Sequence, residues 1–199
     1  ARGQVERFTT DQVQALTTDT LPGLSGTQIA ALGTAQVQAL STAQIVGLSN
    51  SQLAALAPEQ VTALTTDQLA AFETSDMASL NSTQIAALST TQLTSLDNAH
   101  LSALSTSAIA GLSTAQMQAL TTGQVQGLNE RQFAALSSDQ LTALTTTQMA
   151  AMETRDLVAL TTAQWATVTT AQLQSLSTGQ IRAIETLDFV AEVGHVDSW

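Results

Sequence analysis

The chain has 199 residues and contains no cysteine, no lysine and no tyrosine, with two prolines, two histidines and 3% aromatic residues. The absence of cysteine excludes a disulfide framework and is compatible with either redox compartment. The absence of lysine leaves 5 arginines against 16 acidic residues, a formal net charge of −11. A chain this acidic lacks the basic face that nucleic-acid binding needs and is repelled by anionic lipid. No apolar run approaches the roughly 18 residues of a membrane span, so no membrane insertion is expected. No signal peptide is read from these residues, and the start without Met, in mid-pattern, leads to the expectation of a segment excised from a longer protein. Glycines are scattered singly, which excludes a glycine-rich phosphate loop.

What the chain has is an octad unit, typified by Ser41-Thr42-Ala43-Gln44-Ile45-Val46-Gly47-Leu48, repeated without insertion or deletion. Counting from Ala1, position 8 is apolar in 23 successive octads, from Phe8 to Ile184, and position 5 in 24, from Val5 to Phe189. Position 4 is Gln in 18 of 24 octads, the exceptions being Thr20, Asp76, His100, Ala108, Asp156 and Asp188. Position 7 is small except at Arg7, and positions 1 and 2 are usually Ser or Thr.

A strand would send positions 5 and 8 to opposite faces. A continuous helix would wind the apolar stripe around itself, because one octad overshoots two turns by about 80°. One short helix per octad accounts for the most positions. Ser or Thr at position 1 and Gln at position 4 make the capping box, and position 8 of one octad and position 5 of the next make the hydrophobic staple. Pro58 stands at the first helical position, where no N–H is missed. Pro22, at position 6, predicts a distorted or shortened helix. Helices of two turns do not stand alone. The expected fold is therefore all-α, a solenoid of either hand with roughly three or four short capped helices per coil.

Residues 1–192 form the expected repeat domain, with blocks 1–80 and 81–160 matching octad for octad and a truncated block 161–192; residues 193–199 read as an irregular C-terminal tail or cap. Gly47 parallels Gly127 and Thr62 parallels Thr142.

The sequence designates no catalytic, cofactor-binding or metal-binding residue, and no enzyme is expected. The Ser and Thr hydroxyls occupy capping positions. His100 substitutes for a capping Gln, and His195 lies near Asp197 in the tail; two histidines are too few for a zinc site. Trp165 and the Phe residues fall on core positions. The three octads that begin Glu73-Thr74-Ser75-Asp76, Glu153-Thr154-Arg155-Asp156 and Glu185-Thr186-Leu187-Asp188 are a distinct type. They offer carboxylates for calcium or, more simply, acidic groups at the positive end of a helix. Paired Thr residues raise ice binding as a further reading, although the same hydroxyls are needed as caps.

The units Leu160-Thr161-Thr162-Ala163-Gln164 and Leu112-Ser113-Thr114-Ala115-Gln116 resemble the ALTTAQ-like octapeptide repeats of very large bacterial surface or secreted proteins, described as adhesin-like or haem-utilisation-like. The resemblance spans nearly the whole chain and implies an extracellular or cell-surface spacer, stalk or interaction segment with a protein or cell-surface partner. It carries no family active site. The haem label has no support in this chain, since no His or Cys recurs at a fixed octad position. The alternative is a binding module whose solenoid face recognises a protein, a glycan or calcium.

Overall fold

The computed structural model describes the backbone of residues 5–193 and the side chains of residues 5–185; Gln4, Asp188, His195 and Asp197 lie outside the described side chains. The described residues form 21 α-helices and no strand. Nearly every octad gives one helix of four to six residues, as in Thr34–Ala39, Thr42–Val46 and Thr114–Ala119. Almost all begin after an N-cap in extended geometry: Ser41 Oγ accepts from the Gln44 backbone N–H, and Gln44 Oε1 accepts from the Ser41 N–H at 2.8 Å. The Gln half of this box persists where the cap residue has no hydroxyl. Gln60 Oε1 still accepts from the Ala57 N–H at 2.7 Å, and Gln36 Oε1 from the Gly33 N–H at 2.5 Å.

Helices touch at a separation of three octads. Thr34–Ala39 packs on Pro58–Ala63, Pro58–Ala63 on Ser82–Ala87, and Ser82–Ala87 on Thr106–Ile109, so one coil is made of three octads. The core runs along the axis. Side chains at position 5 from Val37 to Leu157 are at most 1% exposed, and those at position 8 from Leu32 to Leu160 at most 6%.

The coils are tied together by the same glutamines. Gln148 Nε2 donates to the carbonyls of Met117 at 2.8 Å and Leu120 at 2.7 Å, and Gln92 Nε2 donates to Val61 O at 3.1 Å and Leu64 O at 2.7 Å. From Gln36 to Gln172 the acceptors lie 31 and 28 residues earlier, at positions 5 and 8 of the octad four before. The position 8 carbonyls are helix ends with no donor of their own, and the position 5 carbonyls, which already accept from the position 8 N–H as Val61 O does from Leu64 and Met117 O from Leu120, gain a second bond. Leu64 and Leu120 leave the helix in extended geometry, and no described residue has a positive φ, so the usual left-handed glycine cap is absent. The glutamine of the next coil replaces it.

Two stretches depart from the one-helix rule, the first for a local reason. Thr17 to Leu24 makes only a hydrogen-bonded turn and a 3-10 turn at Leu21–Gly23, because Pro22 cannot donate a helical hydrogen bond and Thr20 replaces the capping Gln. This is the shortened helix that Pro22 predicts. At the other end, Thr178–Val193 is one continuous helix through two octads rather than one helix in each, and it includes Val193, placed in the irregular tail by the sequence pattern. The acidic cap is not the reason, since Glu73 and Glu153 each begin a separate helix from the same octad position.

Glycine serves close approach here. A Cβ on Gly111 would stand 2.6 Å from the Ser82 carbonyl oxygen of the neighbouring coil, whereas one on Gly123 meets nothing nearer than 3.9 Å. Gly111→Ala should therefore destabilise by about 1–3 kcal/mol, and Gly123→Ala should be neutral or stabilising by up to about 1 kcal/mol, in denaturant unfolding. Gln92→Glu keeps the acceptor that closes the capping box but loses the donor to Val61 and Leu64 and places a charge in the core. It should cost about 2–4 kcal/mol at neutral pH in the same measurement.

Candidate functional site

The positions where chemistry could reside are those at which the ladder glutamine is replaced, because there a titratable side chain enters a buried, hydrogen-bonded row. Four replacements have described side chains in the interior of the array: Asp76, His100, Ala108 and Asp156.

His100 keeps the glutamine's role. Its Nε2 lies 2.8 Å from Phe72 O, the acceptor 28 residues earlier, and its Nδ1 lies 2.7 Å from Asp97 Oδ1. The side chain is 12% exposed. A backbone carbonyl can only accept, so Nε2 is the donor to Phe72 O, and Nδ1 pairs with Asp97. The His100 backbone N–H, donating to Asp97 Oδ1 at 2.9 Å, is the largest influence holding the Asp97 carboxyl below the usual carboxylate range, and the ring adds to it. Among the described residues no hydroxyl bonds the ring. At Ala108 the row has no donor, and Ala108 is fully buried. The Ser105 hydroxyl alone caps that helix, accepting from the Ala108 N–H at 3.1 Å.

The two aspartates differ from both. Asp76 is 5% exposed, and its Oδ2 accepts from the Glu73 N–H at 2.7 Å, which reproduces the glutamine's acceptor but supplies no donor. Burial raises the Asp76 carboxyl above its ordinary range, opposed by that backbone hydrogen bond and assisted by the Glu73 carboxylate. Asp156 is 0% exposed, and neither carboxyl oxygen has a hydrogen-bond partner. Arg155 Nε stands 3.7 Å from Asp156 Oδ1 but 2.9 Å from Glu153 Oε2, so the guanidinium is turned toward Glu153. Burial pushes Asp156 up to about 6, against the lowering effect of Arg155 and the nearby Glu153 backbone amide and with the raising effect of the Glu153 and Glu130 carboxylates.

Placement separates two of the acidic octads that offered carboxylates for calcium. Asp76 and Asp156 point into the row between coils, and their octads are ten apart, which at three octads per coil puts them on different sides of the solenoid. No group of three or more His, Cys, Asp or Glu side chains able to hold a metal occurs among the described residues. The third acidic octad has only Glu185 described, and Asp188 lies outside. Trp165 packs against the core, partly buried.

The Ser and Thr residues divide in two. Position 1 hydroxyls are engaged as caps, as at Ser89, Thr121 and Thr145. Position 2 hydroxyls recur once per coil, at every third octad, as Thr18, Thr42, Thr66, Thr90, Thr114, Ser138 and Thr162, a line along one side that is exposed except at the half-buried Thr66. One shallow cleft of about 380 Å³, lined by Asn129, Glu130, Arg131 and Arg155, opens beside the Asp156 octad. Sequence reasoning identified the acidic octads as unusual but missed that their aspartates break a row between coils. The signal was present: a capping box accepts Glu as readily as Gln, yet no octad has Glu at position 4.

His100→Ala should destabilise by about 1–3 kcal/mol, because Phe72 O loses its donor, while His100→Gln should remain within about 0.5 kcal/mol of the native protein; thermal or denaturant unfolding distinguishes the two.

A family model described as the ALTTAQ repeat matches residues 19–50, 29–66, 69–106, 95–130 and 149–186, about three quarters of the chain. No curated protein matches it significantly. With the octad register, the capped helices and these matches in agreement, the chain belongs to the ALTTAQ repeat family.

Proposed function

We propose that this solenoid is a spacer or stalk segment of a longer bacterial extracellular or surface protein, and that it performs no catalysis. The observation that carries this reading is the commitment of its polar groups to architecture. The position 1 hydroxyls cap helices, the glutamine amides bridge coils, and the described His is held between Asp97 and a backbone carbonyl. A row of coils held in this way transmits length and stiffness, which is what a spacer supplies. The extracellular placement rests on the resemblance of the octads to repeats of large bacterial surface proteins, and net charge −11 suits a solvated segment that repels anionic lipid. The line of hydroxyls from Thr18 to Thr162 favours a second role for the same rod, as a surface that a protein or glycan partner reads.

Solution scattering should show a particle roughly 65–80 Å long, from a helix spacing of about 8–10 Å per coil. Its radius of gyration should lie well above the about 16 Å of a compact domain of this length. Removing residues 81–104, one whole coil, should leave a folded and proportionately shorter rod. On intact bacteria expressing the parent protein, antibodies to this segment should label unpermeabilised cells; labelling only after permeabilisation would reject the extracellular placement.

A further inference from the structure

The ladder is broken by a carboxylate at the same place in two successive ten-octad blocks, at Asp76 in the first and Asp156 in the second. At most other octads a glutamine amide joins the coils, His100 does so in its place, and Ala108 leaves the row without a donor but also without a charge. By the ladder's spacing of 31 and 28 residues, the carbonyls left without that donor are Ile45 and Leu48 opposite Asp76, and Val125 and Leu128 opposite Asp156. No side-chain donor reaches these four oxygens among the described residues, while the carboxyls themselves are buried.

We propose that Asp76 and Asp156 are proton-operated joints of the solenoid, one in each block: the neutral carboxyl lets the adjoining coils clamp together, and its ionisation loosens them. An ionised carboxylate only accepts, so it confronts backbone acceptors with negative charge in a dry row. The neutral acid has one O–H to give and no charge to bury. The joint at Asp156 is the stronger, because neither of its oxygens is bonded, whereas Asp76 retains the Glu73 amide.

Charged neighbours come from three levels of the solenoid. Asp156 has Glu153 and Arg155 on its own octad, Glu130 and Arg131 on the coil below, and Arg182 and Glu185 on the helix above. Arg155 is shared with Glu153. Asp76 has Glu73 on its own octad, no charged residue in the octad packed below it (Ser49 to Leu56), and Asp97 and His100 in the octad above.

Burial raises both aspartates, Asp156 to about 6, above the ordinary value of 3.8. A raised carboxyl binds its proton more tightly in the folded state, so its stabilisation is complete below about pH 4 and is lost as pH rises through about 6. In this acidic protein, protonation of other carboxylates also changes stability with pH, so the test compares variants. Asp156→Gln installs the residue found at 18 octads, and Asp156→Asn removes ionisation without adding length.

Folding stability of the full chain and both variants should be measured at pH 5 and pH 7.5, with hydrogen exchange at residues 125–128 and 153–160 compared at matched pH. The native protein should lose roughly tenfold more in folding equilibrium constant than either variant between pH 5 and 7.5. Its amides beside Asp156 should exchange faster than those of Asp156→Gln at pH 7.5 and converge at pH 5. Equal pH dependence in the native protein and both variants, or equal local protection at pH 7.5, would overturn the proposal.

Discussion

The structure depends on one bifunctional group, the side-chain amide at position 4. Its oxygen closes the N-terminus of its own helix, and its nitrogen closes the C-terminus of a helix four octads earlier. Helices this short are mostly ends, and ends are where backbone donors and acceptors lack partners. A single residue type that satisfies both kinds of end removes the main obstacle to building a core from helices of fewer than two turns. It also explains why the chain needs no left-handed C-cap and can use Gly111 and Gly127 for close packing.

The local half of this arrangement was legible because it is contained within one octad. Ser41, Gln44, Ile45 and Leu48 announce cap, box and staple by their spacing alone, and Pro22 announces the defect at Leu21–Gly23. The half that joins coils was not legible, because the capping box already accounted for Gln and hid its second bond. The number of helices per coil was hidden for a related reason. Every octad buries the same two positions whether three or four make a turn, so the pattern is silent until side chains such as Gln148 are seen reaching back 28 and 31 residues. Asp156 was visible as an exception but not as a buried one, since exposure at position 4 depends on that same coil geometry.

The described hydrogen bonds between side chains and distant backbone reach at most 31 residues along the chain. Each coil therefore senses only its neighbours, and stability accumulates as a sum of similar interfaces. In such a structure a single weakened interface is not averaged away by a global core. It remains a site where the rod bends or opens, which is why the replacement of one amide by a carboxylate at Asp156 has a mechanical meaning that it would lack inside a globular domain.

The duplication and the coil have different periods, and this limits what the surface can do. A block of ten octads is three coils of three plus one octad, so each block begins a third of a turn further around the axis. Any feature copied with the block, such as the acidic octads at Glu73 and Glu153, is carried to a new side and cannot line up into a stripe. Features that line up must recur at every third octad regardless of the block, and the hydroxyls from Thr18 to Thr162 do so because most octads have one at position 2. A partner that reads this rod along that side would thus meet the hydroxyls together with the exposed carboxylates of Asp19, Asp67 and Asp139 in the same column of octads, whereas the carboxylates at the ladder positions act inward, on the fit of one coil to the next. Block duplication multiplied the joints and the coils together, and so lengthened the rod without giving it a second face.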